Sequence, residues 1–160
     1  MHSRRGLTLI ELMVVVLIIT LIATIAVIAV RDARAKARDV KRVYDISQYV
    51  KALTIYAQEN SGVFPAQDGF LGRGGAVDAA LVKYLPDAPS DPLDTGGTGS
   101  NDYYYYYVAQ NNCQGEILPS VHVLRIETSN QDFHKNPCTL GAGGSEHGYA
   151  NQADYLLIIR

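Results

Sequence analysis

No charged residue, glycine or proline falls between Leu12 and Val30, and no glycine or proline at all between Leu7 and Asn60. The first absence excludes a plain cytosolic protein, because a soluble domain of 160 residues rarely tolerates an uncharged apolar run of that length. The second leaves nothing to seed a kink in a long helix. A cleaved secretory signal would end after such a run in small residues of the A-x-A type and a cleavage site. Arg-Asp-Ala-Arg-Ala-Lys-Ala-Arg follows instead and continues a helix, so the apolar segment is expected to be kept.

Other absences narrow the chemistry. Cysteine is limited to Cys113 and Cys138, and a metal site drawn from Cys113, His134, Cys138 and His147 would have scattered ligands without zinc-motif spacing. Gly72-Arg73-Gly74-Gly75 lacks a following Lys-Ser/Thr and opens no convincing helix, so it is a loop and no phosphate cradle. The four histidines lie in unrelated contexts and form no nucleophile, base and oxyanion arrangement. The expectation is a protein that is not an enzyme and that uses no metal or cofactor.

Charge is unevenly spread. Residues 31–60 carry seven basic against four acidic groups, while residues 61–160 carry five against eleven. An acidic C-terminal head repels phosphate backbones, so no direct nucleic-acid partner is expected. One globular head is the limit that the chain length sets.

What is present at the N-terminus is a short basic stretch, Met-His-Ser-Arg-Arg-Gly, then Leu-Thr-Leu-Ile-Glu, then the apolar run. Leu12 to Val30 spans roughly 28 Å as a helix, close to a bilayer's hydrocarbon core. The positive-inside rule, applied to Arg31, Arg34, Lys36, Arg38, Lys41 and Arg42, would put the C-terminal side in the cytoplasm. The cysteine pair suits an oxidising compartment and points the other way. Glu11 is a carboxylate at the edge of an apolar helix, with Val14 and Val15 where an i+3 or i+4 cation would stand. Such a group normally has a partner, and cleavage after Gly6 would supply one, an α-amine on Leu7.

Arg-Arg-Gly followed by Leu-Thr-Leu-Ile-Glu-Leu-Met-Val-Val-Val resembles the class III leader and N-terminal helix of type IV pilins and type II secretion pseudopilins. The resemblance implies that a prepilin peptidase cuts after Gly6, that Leu7 becomes the methylated N-terminus, and that Glu11 is the assembly glutamate. It departs from the family in having Leu where Phe is commonest at the first mature position, and Ile28 where a helix-kinking proline is frequent. Lys83-Tyr84-Leu85-Pro86 and Asp91-Pro92, ahead of a tyrosine-rich strand, resemble the segment before the sheet in major pseudopilins and in small pilins of Gram-negative and uncultured lineages. A calcium loop of the pseudopilin kind is not expected, since Gly141 to Asp154 offers only Glu146 and Asp154 as carboxylates.

The implied fold is α+β, a long N-terminal helix packed on a small antiparallel sheet. The expected divisions are a leader at 1–6, a transmembrane and filament-core helix at 7–30, its amphipathic half at 31–60, and a head with a C-terminal loop at 61–160. Ala33, Ala37, Val40, Val43, Ile46, Val50, Leu53 and Ala57 form one helical stripe expected to dock on the sheet. Gly69–Gly75 and Pro86–Ser100 read as loops around a short helix near Val77–Tyr84. Tyr103–Val108, Val121–Ile126 and Tyr155–Ile159 read as strands, with one set of the tyrosines packed on the helix and the other on the surface. The alternative is a tyrosine patch for adhesion or subunit contact. A Cys113–Cys138 disulfide is expected to tie down the C-terminal loop.

By resemblance the chain is a pilin-like subunit, stored single-pass in the inner membrane with its head outside the cytoplasm and polymerised with other pilins into a filament. Its other implied partners are the prepilin peptidase, an assembly ATPase and a platform protein. The alternatives are a major pseudopilin and, from another class, an adhesive or competence binding subunit.

Overall fold

A computed structural model describes residues 8–98, 102–113, 116–123, 125–128 and 155–158. A single helix, α1 (Leu9–Glu59), runs 51 residues and about 76 Å at the standard rise. It stays unbroken because no residue in it lacks a backbone donor or disfavours helical dihedrals. Thr20 and Thr24, the polar side chains inside the apolar half, donate their hydroxyls to the carbonyls of Leu17 and Leu21 at 2.9 and 2.7 Å. Asn60 and Gly62 end the helix by donating their N–H groups to carbonyls of its last turn.

Beyond the helix lie β1 (Gly69–Leu71), α2 (Ala76–Leu81), β2 (Tyr105–Cys113), β3 (Glu116–Val123) and β4 (Tyr155–Ile158). The strands form one antiparallel sheet in the order β1-β2-β3-β4. Helix and sheet enclose the core: Ile46, Tyr49 and Leu53 from α1 meet Tyr105, Tyr107, Val121 and Val123, with Leu71, Val77, Leu81 and Ile126 around them. The core tyrosines keep their hydroxyls satisfied, Tyr49 donating to Pro89 O, Tyr105 to Asp45 Oδ2 and Tyr107 to Pro65 O at 2.7–2.9 Å.

Several expectations need correction. Gly69–Leu71 is a strand rather than loop, pairing with Tyr105–Tyr107. The tyrosine strand extends to Cys113, and its partner begins at Glu116 and ends at Val123. Tyr104 and Tyr106 are buried along with Tyr105 and Tyr107, so neither an exposed second set nor an adhesive tyrosine patch survives. On the sheet face away from α1, Tyr104, Tyr106 and Val108 form a second apolar cluster, Phe70 lying edge-on to both rings at 5.1 Å between centroids. On the helix, Ala33, Ala37 and Val40 are exposed; the buried face starts at Asp39 and includes Arg42, Asp45 and Tyr49.

Candidate functional site

The residues expected to carry function cluster where α1 begins. Gly6 and Leu7 lie outside the described residues. Thr8 is the N-cap of α1: its hydroxyl accepts from the Glu11 N–H at 3.4 Å, while Glu11 Oε2 accepts from the Thr8 N–H and hydroxyl, both at 2.8 Å. This reciprocal capping box fixes the helix start and aims the Glu11 carboxylate back toward the preceding residue. Its signal, Thr-x-x-Glu ahead of an apolar run, stood in the sequence and was not read as a cap. The carboxylate also lies at the positive end of the helix dipole.

From Leu9 to Val30 the side chains are exposed, Leu9 by 76% and Leu17 by 66%. Among the described residues nothing in the head covers this half of the helix, which is long and apolar enough to cross a membrane. In water such a surface would be strongly unfavourable, so it needs lipid or other apolar helices around it.

A second constellation sits where α1 enters the head, and the apolar periodicity gave no sign of it. Arg42 is fully buried, with Nε and Nη2 on the two oxygens of Asp91 at 2.7 and 3.0 Å and Nη1 on Asp39 Oδ1 at 2.5 Å and Glu127 Oε1 at 3.0 Å. Arg38 pairs Glu127 through both oxygens, and Asp39 accepts the N–H groups of Glu127 and Thr128 at 3.1 and 2.8 Å. Burial opposes the Arg42 cation, yet the Asp91 hydrogen bonds and charge, with those of Glu127 and Asp39, raise its pKa above the ordinary value. The Arg38 hydrogen bonds, against burial and with help from Arg42, hold Glu127 below the usual carboxylate range. The network pins α1 to the loop before β2 and to the segment after β3, and a bidentate guanidinium suits that geometry where a lysine would not. Asp91, read above as a resemblance to pseudopilins, here neutralises a buried helix cation.

The Cys113–Cys138 bridge cannot be placed: the backbone of Cys113 ends β2, Cys138 lies outside the described residues, and no disulfide occurs among those described. His134, His147, Glu146 and Asp154 also lie outside them. Among the described residues, no group of three or more His, Cys, Asp or Glu side chains is arranged to hold a metal.

Residues 1–27 match the family model described as the prokaryotic N-terminal methylation motif. The match takes in Gly6, Leu7, Thr8 and Glu11 and most of the apolar run. No curated protein and no solved structure matches the chain. A methylation motif therefore leads directly into a long helix that is bare over its apolar half and packed over its other half on a small antiparallel sheet, which is the architecture of the pilin fold.

Proposed function

We propose that this chain is a type IV pilin-like structural subunit, cleaved after Gly6, methylated on the new N-terminus of Leu7, held by Leu12–Val30 in the inner membrane with its head outside the cytoplasm, and polymerised into a helical filament. The observation that carries the reading is the continuity of the methylation motif with a helix whose apolar half finds no cover among the described residues of its own head. A bilayer covers that half before assembly, and neighbouring helices cover it afterwards. Glu11, aimed back across the helix start, then accepts the charge of a Leu7 amine on an adjacent subunit, since neither a carboxylate nor an ammonium is stable alone in the apolar core. In this reading the chain performs no catalysis. Its partners are copies of itself, a prepilin peptidase, and an assembly ATPase with its platform protein.

The same features serve a major pseudopilin, and Lys83–Pro86 with Asp91-Pro92 favour that variant of the reading. An adhesive subunit loses its sequence support with the burial of Tyr104–Tyr107.

The test is Gly6→Glu in the native host, read by intact mass and by shearing filaments from cells. Wild type yields a subunit six residues shorter than the translated chain, carrying one methyl group, in the sheared fraction. The variant keeps its leader, and the sheared fraction empties. A variant cut normally at Leu7, or uncut subunits that still fill filaments, would sink the reading.

A further inference from the structure

The six cations that follow the apolar run divide at residue 37. From Arg38 onward each has an internal partner: Arg38 on Glu127, Lys41 on Asp45 at 3.3 Å, Arg42 on Asp91, Asp39 and Glu127. Arg31, Arg34 and Lys36 are exposed, and none of the three has an ion-pair or hydrogen-bond partner among the described residues. Asp32 is the one carboxylate among residues 31–36.

Their placement specifies what they can meet. At 1.5 Å per residue, Arg31 begins where the apolar run stops and Lys36 stands roughly 7.5 Å further on, within the roughly 5–8 Å of headgroup layer that flanks each side of a hydrocarbon core. Around the helix axis Arg34 lies roughly 60° to one side of Arg31 and Lys36 roughly 140° to the other, so the three spread over roughly 200° of the circumference and do not form one stripe. A protein partner docks on one side of a helix and would be met by a stripe. A headgroup layer surrounds the helix and is met by a collar.

We propose that Arg31, Arg34 and Lys36 form a cationic collar that binds the anionic headgroups of phospholipids at the membrane surface where α1 emerges, setting the depth of the stored subunit and holding it there until assembly. The proposal rests on Leu12–Val30 spanning the membrane, as read above. It also gives these cations a role on the side of the membrane where a simple count of positive charge would not place them.

The full chain, exchanged in detergent between neutral phosphatidylcholine vesicles and vesicles containing about 30% phosphatidylglycerol, is scored after detergent removal by flotation, each surface cation being worth roughly fivefold in partitioning. Three cations less one aspartate predict a preference for the anionic vesicles of at least about tenfold at low salt. Raising salt from about 0.05 to 0.5 M should reduce it several-fold, a control that involves no variant. Arg31→Gln/Arg34→Gln/Lys36→Gln should insert as well as wild type and lose most of that preference, the remainder belonging to Arg4 and Arg5 at the other end of the apolar run. Equal distribution of wild type, or a triple variant that keeps the preference, overturns the collar and leaves the membrane-spanning reading intact. Failure of wild type to enter either vesicle overturns both. If wild type shows no preference and the triple variant loses cross-linked dimers in neutral vesicles, the cations serve a second copy of the chain and the proposal is wrong.

Discussion

Arg42 shows how much of the head's organisation can rest on one side chain. Its removal leaves Asp39 and Asp91, whose side chains have no exposed surface, without their cation. Breaking a buried pair from one side costs about 3–5 kcal/mol, whereas replacing all members with packed apolar groups can be neutral. Arg42→Met is therefore expected to lower the stability of the full chain in micelles by about that much, measured by denaturant titration of near-ultraviolet tyrosine ellipticity. A loss under about 1 kcal/mol would mean that water reaches the site and screens its charges. His122 is the other residue whose burial has a measurable consequence. Its Nε2 lies 2.8 Å from Ser120 Oγ, its Nδ1 is buried without a partner among the described residues, and burial pushes its pKa down to about 3. A depressed histidine pKa means that the unfolded chain binds the proton first. The stabilising contribution is thus complete above about pH 6.5 and is lost progressively toward pH 3, at about 1.4 kcal/mol per pH unit. Wild type should lose about 2 kcal/mol between pH 7 and pH 5, while His122→Gln should stay flat over that window. Glu127, held low chiefly by Arg38, adds a separate loss in both chains only below its ordinary carboxylate range. A variant whose stability falls as steeply as wild type from pH 7 to 5 would clear His122 of the effect.

Among the elements, the long helix was legible because its signal is compositional, an absence of breakers over 53 positions between Gly6 and Asn60. The reach of the head along it was not. Hydrophobic periodicity marks a face but not where the partner on that face ends, so Ala33, Ala37 and Val40 continued a stripe into the exposed stretch while Asp39 and Arg42 occupied its buried part. Charged residues at i and i+3 read as a solvated surface until Asp91 and Glu127, 49 and 85 residues away, are brought beside them. The expected strand Val121–Ile126 left out the start of β3, which contains Pro119, a residue with no N–H to give to a ladder. It fits because it stands opposite the irregularity between Val108 and Asn111, where Ala109 gives its N–H to Asp68 at 2.8 Å instead of to a ladder partner. Glycine misled in the same way at β1. Gly72 follows that strand not as generic loop but at φ +75°, where an added Cβ would lie 2.4 Å from Pro89 O. Gly74 has a similar φ of +73° and open space around its Cβ position. Both alanine variants incur the left-handed cost of roughly 1–2 kcal/mol, but Gly72→Ala must also push back the loop that holds Asp91. It should be the less stable by a clear margin in thermal melts, and equal melting temperatures would show that the loop before β2 yields freely.

At the scale of the whole molecule, one continuous helix joins two halves suited to different surroundings, with a short stretch between them that belongs to neither. Residues 31–37 lie past the apolar run, and their side chains have no bonded partner in the head among the described residues. In a neutral micelle, where no anionic headgroup engages its cations and no described strand packs on it, such a turn is held only by its own hydrogen bonds, and opens at far lower cost than one in a core. Arg38 marks the end of that stretch, because from there the guanidinium pairs and the Asp39 contacts anchor the helix to the head. Trypsin acting on the full chain in neutral micelles should therefore separate the halves by cutting after Arg31, Arg34 or Lys36. The head fragment should then begin at Asp32, Ala35 or Ala37, stay soluble once detergent is removed, and keep the near-ultraviolet tyrosine signal, since every buried residue of the helix lies at Asp39 or beyond. N-terminal sequencing and ellipticity of that fragment decide the matter. A first cut after Lys41 or Arg42 would mean that the buried network opens as readily as the bare helix, and loss of the tyrosine signal on release would mean that the head depends on the apolar half for more than attachment.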